Sequence, residues 1–186
     1  MSMELLGSAY LTQAEGGFYS PAEAARHRVE HLLDALRFWP YMAVVDGFQH
    51  WAYENHSIAS DPANCDAAWT DLWQRFMTGV DWSGLEDVRT TGWQRKPHLI
   101  QTPFYYIEYG LAQLGAIQIW RNSLRDPAEA VAAYRRALSL GGTVPLPRLY
   151  ETAGARLAFD EGTLVEVTEL IVTTIKQLEA TEGVED

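Results

Sequence analysis

PHLIQTPFYYIEYGLAQLGAIQIW, residues 97–120, is the stretch that decides the fold. Thr102 followed by Pro103 is typical of a helix start, because a threonine side chain caps the first turn and proline suits the first helical position. From Pro103 to Leu124 the only charged residues are Glu108 and Arg121. A helix with so few charges is expected to be buried nearly all round. The stretch therefore predicts a long helix inside the protein.

Polar side chains, two of them tyrosines, share one stripe of this predicted helix. Tyr106, Tyr109 and Gln113 are spaced by three and four residues, which places them on one face, and His98 lies on the loop just before the helix. Buried phenols need hydrogen-bond partners, and stripes of this kind are usually part of a core. From the residues alone, a packed core and a substrate-binding wall both remain open.

Helix starts recur along the chain and predict an all-α fold. Ser20-Pro21, Asp61-Pro62 and Asp126-Pro127 repeat the pattern of a capping residue followed by proline. We expect Pro40 to end one helix, because its ring removes a hydrogen-bond donor. The predicted helices, within one domain over residues 1–186, are 2–13, 21–39, 41–54, 62–78, 103–125, 127–140, 146–154 and 163–181. Capping boxes are expected at Ser20/Glu23, Asp126/Glu129 and Thr163/Glu166.

Two segments lie outside this helical pattern. Residues 81–102 form a loop that is long for a compact domain, and such loops are often functional. Residues 179–186 are acidic and are expected to be a frayed end.

Composition excludes several classes of function. With 14 Lys and Arg against 25 Asp and Glu, the net charge of −11 repels nucleic acid and anionic membrane surfaces. There is no run of about 18 apolar residues that could span a membrane. Cys65 is the only cysteine and cannot form an internal disulfide, which favours a reducing, cytoplasmic location.

A short motif, His27-Arg-Val-Glu-His31, resembles an inverted zinc motif, with Glu108 as a conceivable third ligand. Helical periodicity places both histidines on a solvated face, opposite the apolar stripe that includes Val29 and Leu32. The motif therefore favours a polar surface, and we expect this chain alone to bind no metal. His50, with Asp46 one turn earlier, is expected to be a hydrogen-bonded core histidine.

Several segments together resemble the C-terminal part of oligoendopeptidase F, a zinc peptidase related to thimet oligopeptidase. They are SMELL (2–6), FWPYMAVVDGFQHW (38–51), DWSGL (81–85), the tyrosines at 105, 106 and 109, and WRNSLRDPAEA (120–130). The family's zinc-binding His-Glu-x-x-His helix and its downstream glutamate are not in this chain. Since that glutamate precedes the family's counterpart of residues 2–6, the resemblance implies that Met1 is an internal methionine of a longer enzyme.

The resemblance also implies roles for individual residues. Tyr109 corresponds to the tyrosine that stabilises the transition state, Tyr106 to a neighbouring substrate contact, and His98 to the loop histidine of the catalytic site. Tyr105 is expected to bind substrate, and the roles of Tyr105 and Tyr106 remain interchangeable. Just before this segment, Arg95 and Lys96 are candidates to bind the C-terminal carboxylate of a peptide, with a solvated loop as the favoured alternative for both. By the same resemblance, residues 81–102 are expected to form an active-site loop.

The chain is accordingly expected to be an all-α fragment of a zinc oligopeptidase catalytic domain that acts on short peptides. Zinc is the cofactor of the family, and the missing upstream half is the expected partner of this chain. Alone the chain should be inactive. The alternatives are a non-catalytic helical interaction module and, third, an independent metalloenzyme that uses His27 and His31.

Overall fold

The computed structural model describes residues 1–182 and is all-α, as the sequence predicts, with no β-strand among these residues. The helices are α1 Ser2–Gly7, α2 Pro21–Glu54, α3 Pro62–Phe76, α4 Glu86–Thr90, α5 His98–Gln101, α6 Ile107–Ser123, α7 Pro127–Leu140, α8 Leu146–Thr152 and α9 Glu161–Glu182. Short 3-10 helices cover Ser8–Tyr10, Gln13–Glu15 and Gly92–Arg95. No helix of residues 1–182 combines the length and apolar character needed to cross a membrane.

Helix α2 continues through Pro40, so the predicted break between residues 39 and 41 is wrong. A proline inside a helix costs about 3 kcal/mol or more. The residues that follow it offset this cost, because Met42, Val44, Val45 and Phe48 are almost completely buried. Full burial of such a side chain contributes roughly 1.5–3 kcal/mol each. Packing after the proline therefore maintains the helix.

Helix α6 begins at Ile107, four residues later than Pro103, so Thr102 does not cap it. Phe104 has a φ of 60°, a left-handed conformation that interrupts any helix. Its ring centroid lies 5.1 Å from that of His50 and 5.0 Å from that of Tyr53. These aromatic contacts help to stabilise the turn. Farther along α6, every residue from 113 to 120 is buried, which confirms the prediction of an enclosed helix for this part.

Of the three predicted capping boxes, two have the expected capping residue at the helix start. Ser20 and Glu23 form the predicted reciprocal cap, with Ser20 N–H donating to Glu23 at 2.8 Å. Asp126 accepts from the Glu129 N–H at 3.0 Å. At α9 the cap is Asp160, which accepts from the Thr163 N–H at 2.9 Å, so the box predicted between Thr163 and Glu166 is wrong.

The two segments expected to lack regular structure are partly helical. Residues 81–102 contain α4, the 3-10 helix Gly92–Arg95 and α5. Helix α9 extends to Glu182, so residues 179–182 of the predicted frayed end are helical. The rest of that segment, residues 183–186, lies outside the described part of the chain.

The fold divides into two compact units. The first comprises Met1–Leu36 and the chain from Leu111 onward, and one of its clusters packs Ile119 against alanines of α7 and of the α8 region. The second, Arg37–Gly110, has an aromatic core that includes Phe48, Trp69 and Trp73. This second unit contains the candidate site.

Candidate functional site

The site lies where α5 is followed by α6, and the structure brings four of the predicted residues together. The ring centroid of His98 is 5.0 Å from Tyr106, 6.2 Å from Tyr105 and 6.3 Å from Tyr109. Tyr109 is in turn 5.4 Å from Tyr105 and 5.5 Å from Tyr106. His98 is the first residue of α5, Tyr109 lies in the first turn of α6, and the Phe104 turn joins the two helices. We call these four side chains, His98, Tyr105, Tyr106 and Tyr109, the tyrosine cluster.

Two further side chains belong to this surface. The Lys96 ammonium lies 4.7 Å from the centroid of the Tyr41 ring and 5.6 Å from that of Tyr106, both distances typical of a cation–π contact. Tyr41 also packs edge-on against Tyr106, with ring centroids 6.2 Å apart. Sequence reasoning missed Tyr41, because it comes from α2, more than sixty residues earlier in the chain. Its only sequence signal was its place within the resembling segment 38–51.

Arg95, predicted to bind substrate, is exposed and forms none of the ring contacts of the tyrosine cluster. Its charge still acts on this surface. Burial raises the pKa of Tyr41, and the Arg95 guanidinium partly opposes this rise. Lys96, the next residue after Arg95, is therefore the cation that contacts the tyrosine rings directly. Arg95 acts on the pKa of Tyr41 from a longer distance.

Two tyrosines of the cluster, Tyr106 and Tyr109, have raised pKa values and stay protonated at neutral pH. Burial, followed by the neighbouring Tyr41, raises the pKa of Tyr106, and Lys96 partly opposes this. The interaction with the Tyr105 hydroxyl is the main cause that raises the pKa of Tyr109, with desolvation second. Since an ordinary tyrosine pKa is about 10, both hydroxyls carry a proton that they can donate.

Two buried polar atoms of this surface have no hydrogen-bond partner of good geometry within residues 1–182. They are the Tyr41 hydroxyl and Nδ1 of His98. Tyr106 interacts electrostatically with the Tyr41 hydroxyl without forming a well-oriented hydrogen bond. Most buried polar side chains in native proteins are paired. These two atoms are exceptions to the usual pairing, and such exceptions arise from strain, from a catalytic role or from a bound water or ion.

The described residues do not fit a zinc ion. Within 1–182 no three His, Cys, Asp or Glu side chains lie close enough together to hold a metal. His27 is exposed and His31 half-buried on α2. His50 is also exposed, with Nε2 3.5 Å from Asp46, so the expectation of a core histidine is wrong. Its aromatic contact with Phe104 places it on the outside of the turn.

An apolar cavity of about 300 Å³ lies in the other unit. Small residues of α6 and α7, among them Gly115, Ala116 and Ala137, line it together with Tyr150. Its lining includes no residue of the tyrosine cluster and no charged side chain. It therefore offers fewer groups for catalysis than the surface around His98 does. We take the tyrosine cluster as the candidate site.

Comparison with known proteins adds independent information. Residues 2–168 match the sequence profile of peptidase family M3. The structure resembles Pz peptidase A, solved with an inhibitor, at 31% identity and a TM-score of 0.80, over 96% of this chain and 30% of that one. It also resembles a structure described as an oligoendopeptidase F from Bacillus anthracis strain Ames, at 27% identity and a TM-score of 0.65, over 98% of this chain and 27% of that one.

The chain thus spans less than a third of the length of either of these structures. The comparison with curated proteins finds no significant match.

Proposed function

The chain belongs to peptidase family M3, and we propose from this that it forms part of a peptidase catalytic domain, in which the tyrosine cluster is one wall of the channel that binds short peptides. The observation that carries the proposal is the convergence of His98, Tyr105, Tyr106 and Tyr109 within 5.0–6.3 Å, between ring centroids. Family membership and the two peptidase structures support the reaction class.

Protonated tyrosines suit one step of peptide hydrolysis in particular. When water attacks a peptide carbonyl, negative charge develops on the carbonyl oxygen, and hydrogen-bond donors aimed at that oxygen stabilise the transition state. We assign this donor role to Tyr109, whose hydroxyl remains protonated at neutral pH. Tyr106 and His98 would contact the reacting peptide beside it, with Tyr105 and Arg95 binding the rest of the substrate.

The remaining catalytic groups must come from elsewhere in the enzyme. Family M3 is generally zinc-dependent, but residues 1–182 do not fit the ion and no His-Glu-x-x-His occurs in the sequence. The chain alone is therefore proposed to be inactive, and its partner to be the upstream catalytic half, in the same polypeptide or as a second chain. A cytoplasmic location is proposed from the single cysteine, Cys65.

The test restores the missing half and removes one hydroxyl. The chain is fused to, or co-expressed with, the preceding part of a family M3 peptidase, and hydrolysis of a fluorogenic peptide is measured. Tyr109→Phe keeps the ring and is expected to lower kcat by about 10²–10³-fold with little change in KM, because it removes a donor used mainly in the transition state. Tyr10→Phe, which alters a tyrosine that is 63% exposed and outside the site, is the matched control.

If Tyr109→Phe leaves kcat within about twofold, in a folded enzyme with its metal content intact, the donor role does not belong to Tyr109. Tyr105→Phe and Tyr106→Phe then decide whether a neighbouring hydroxyl has that role.

A non-catalytic helical interaction module is the second candidate. The exposure of Phe18 at 90% and Phe159 at 77% favours it, since exposed aromatic side chains often mark binding surfaces. This candidate predicts that no upstream half restores hydrolysis, and that Tyr109→Phe leaves binding to any partner unchanged.

A further inference from the structure

Lys96 is a half-buried cation beside the tyrosine cluster, directly after the 3-10 helix Gly92–Arg95. Its ammonium lies over two aromatic rings, 4.7 Å from the centroid of Tyr41 and 5.6 Å from that of Tyr106. The attraction between a cation and a ring face holds the side chain in this position. The donor role of Tyr109 does not explain why a cation lies here.

The Lys96 ammonium has no anionic partner in the described part of the chain. Within residues 1–182 no carboxylate lies at ion-pair distance from its nitrogen. The ammonium has three N–H donors, and its interaction with the Tyr106 hydroxyl uses at most one of them. Charges that are partly removed from water are usually paired. The side of Lys96 that faces away from the rings can therefore accept a negatively charged group.

A ligand can reach this ammonium. The buried unpaired atoms of the surface are the Tyr41 hydroxyl and Nδ1 of His98, and the Lys96 nitrogen is not one of them. Since it also forms no well-oriented hydrogen bond within residues 1–182, the nitrogen retains accessible surface. Tyr105, beside it in the cluster, is 41% exposed. The ammonium and the cluster thus share one open surface.

The charges around the cluster differ between its two ends. Exposed Arg95 adds a second positive charge next to Lys96, and its field reaches Tyr41. The exposed carboxylate of Glu108 acts on Tyr109, where it contributes least to a pKa that the Tyr105 hydroxyl mainly raises. A chain of net charge −11 therefore has a local positive region at Lys96, which favours an anion there.

We propose that the Lys96 ammonium binds a carboxylate of the peptide substrate and so determines which peptides are preferred. This rests on the proposed function, in which the tyrosine cluster faces the bound peptide. The Lys96 nitrogen and the Tyr109 ring centre lie 5.6 Å and 5.5 Å from the Tyr106 ring centre. An extended peptide advances about 3.3–3.6 Å per residue, so the carboxylate belongs within about three residues of the hydrolysed bond. A free C-terminus or an acidic side chain supplies it.

The first experiment measures binding to the whole chain, without catalysis. Lys96 and Lys176 are the only lysines of the sequence, so lysine labelled with ¹³C at Cε gives two NMR signals. Lys176, exposed on α9, is the internal control. The ligands are N-acetyl-trialanine, its C-terminal amide, and the amide of N-acetyl-Ala-Glu-Ala. We expect the Lys96 signal to shift saturably with at least one of the two carboxylate peptides, and the Lys176 signal to stay unchanged.

The ligands also identify the source of the carboxylate. A saturable shift with N-acetyl-trialanine alone assigns Lys96 to the C-terminus of the substrate. A saturable shift with the glutamate peptide assigns it to acidic side chains. The amide of trialanine carries no negative charge and is expected to shift neither signal.

The second experiment uses the enzyme with its upstream half restored. Internally quenched peptides are compared in two pairs, free acid against amide and glutamate against glutamine. Lys96→Gln is expected to lower kcat/KM for the preferred carboxylate peptide by about tenfold, mainly through KM, because it removes a charged donor. The uncharged member of the pair should stay within about twofold, whereas a purely structural role would lower both equally. Lys176→Gln makes the same replacement at an exposed position and should change neither.

Equal Lys96 shifts with the acid and amide peptides, or no saturable shift, would overturn the proposal and leave Lys96 as a solvated cation. An equal loss for both members of a pair in Lys96→Gln would overturn it as well. If Lys96→Gln does not fold, as judged by circular dichroism, the wild-type comparison of acid and amide decides alone. If the restored enzyme hydrolyses no peptide, the proposed function fails, whereas the NMR titration still decides whether Lys96 binds a carboxylate.

Discussion

Replacing Gly115 of α6 with alanine tests whether the packing of α6 against α8 is as tight as the structure indicates. A Cβ added at Gly115 would lie 2.5 Å from Cε1 of Tyr150 and 3.1 Å from its Cζ, well inside van der Waals contact. The Tyr150 ring cannot move without consequence, because its hydroxyl donates to the Leu111 carbonyl at 3.2 Å. Gly115→Ala must therefore displace the ring or bend the helix.

The expected free-energy change combines three effects. Overpacking a close contact costs about 1–3 kcal/mol. Losing the Tyr150 hydrogen bond adds about 0.5–1.5 kcal/mol. Alanine in a helix interior returns roughly 1 kcal/mol relative to glycine. We expect a net loss of about 2 kcal/mol in the free energy of unfolding, which lowers the melting temperature by about 4–8 °C for a chain of this size.

Thermal unfolding followed by circular dichroism measures the change. Gly110→Ala is the matched control on the same helix, because its Cβ would meet Met42 Cγ at 3.4 Å, an ordinary contact. It should leave stability unchanged or raise it by up to about 1 kcal/mol. In a Tyr150→Ala background the clash is absent, so Gly115→Ala should become stabilising.

If Gly115→Ala raises the melting temperature of the wild-type chain as much as Gly110→Ala does, the predicted clash with Tyr150 is refuted. The Tyr150 ring would then move freely, and the close approach of α6 to α8 would not contribute to stability. A loss of the same size in the Tyr150→Ala background would refute it as well, since the cost would not arise from the ring.

Three further outcomes are expected. Asp126→Ala should lower the free energy of unfolding by about 1 kcal/mol, because it removes the N-cap of α7, whereas the exposed Asp71→Ala should change it little in denaturant titrations. Hydrogen bonds from Thr163 lower the pKa of Asp160. The stability that this carboxylate contributes to the fold is therefore complete above its ordinary pKa of 3.8 and is lost as pH falls through the lower folded-state value. Asp160→Asn should remove this part of the acid sensitivity in thermal melts recorded across that pH range. The dialysed chain should contain no stoichiometric zinc by metal analysis, and one tightly held ion that disappears in His27→Ala would instead support the metalloenzyme alternative.

Features that depend on neighbouring residues could be predicted from the sequence. The starts of α2, α3 and α7 follow Ser20, Asp61 and Asp126 because a cap forms between residues two or three positions apart. The all-α class follows from the repetition of such starts, and the family from several segments that resemble oligoendopeptidase F. The membership of His98 and Tyr109 in one cluster also follows from a short sequence separation.

Features that depend on packing between distant segments were decided only by the tertiary structure. Helix α2 passes through Pro40 because burial of the residues after it outweighs a local cost. Thr102 and Pro103 do not start α6, because Phe104 adopts a positive φ in a turn that packs on His50 of α2. The Tyr41 ring of α2 packs against the Tyr106 ring, and only tertiary packing brings these two distant residues together. Local sequence determines where a helix can begin, whereas the burial of side chains from remote segments determines where it does begin and which side chains meet.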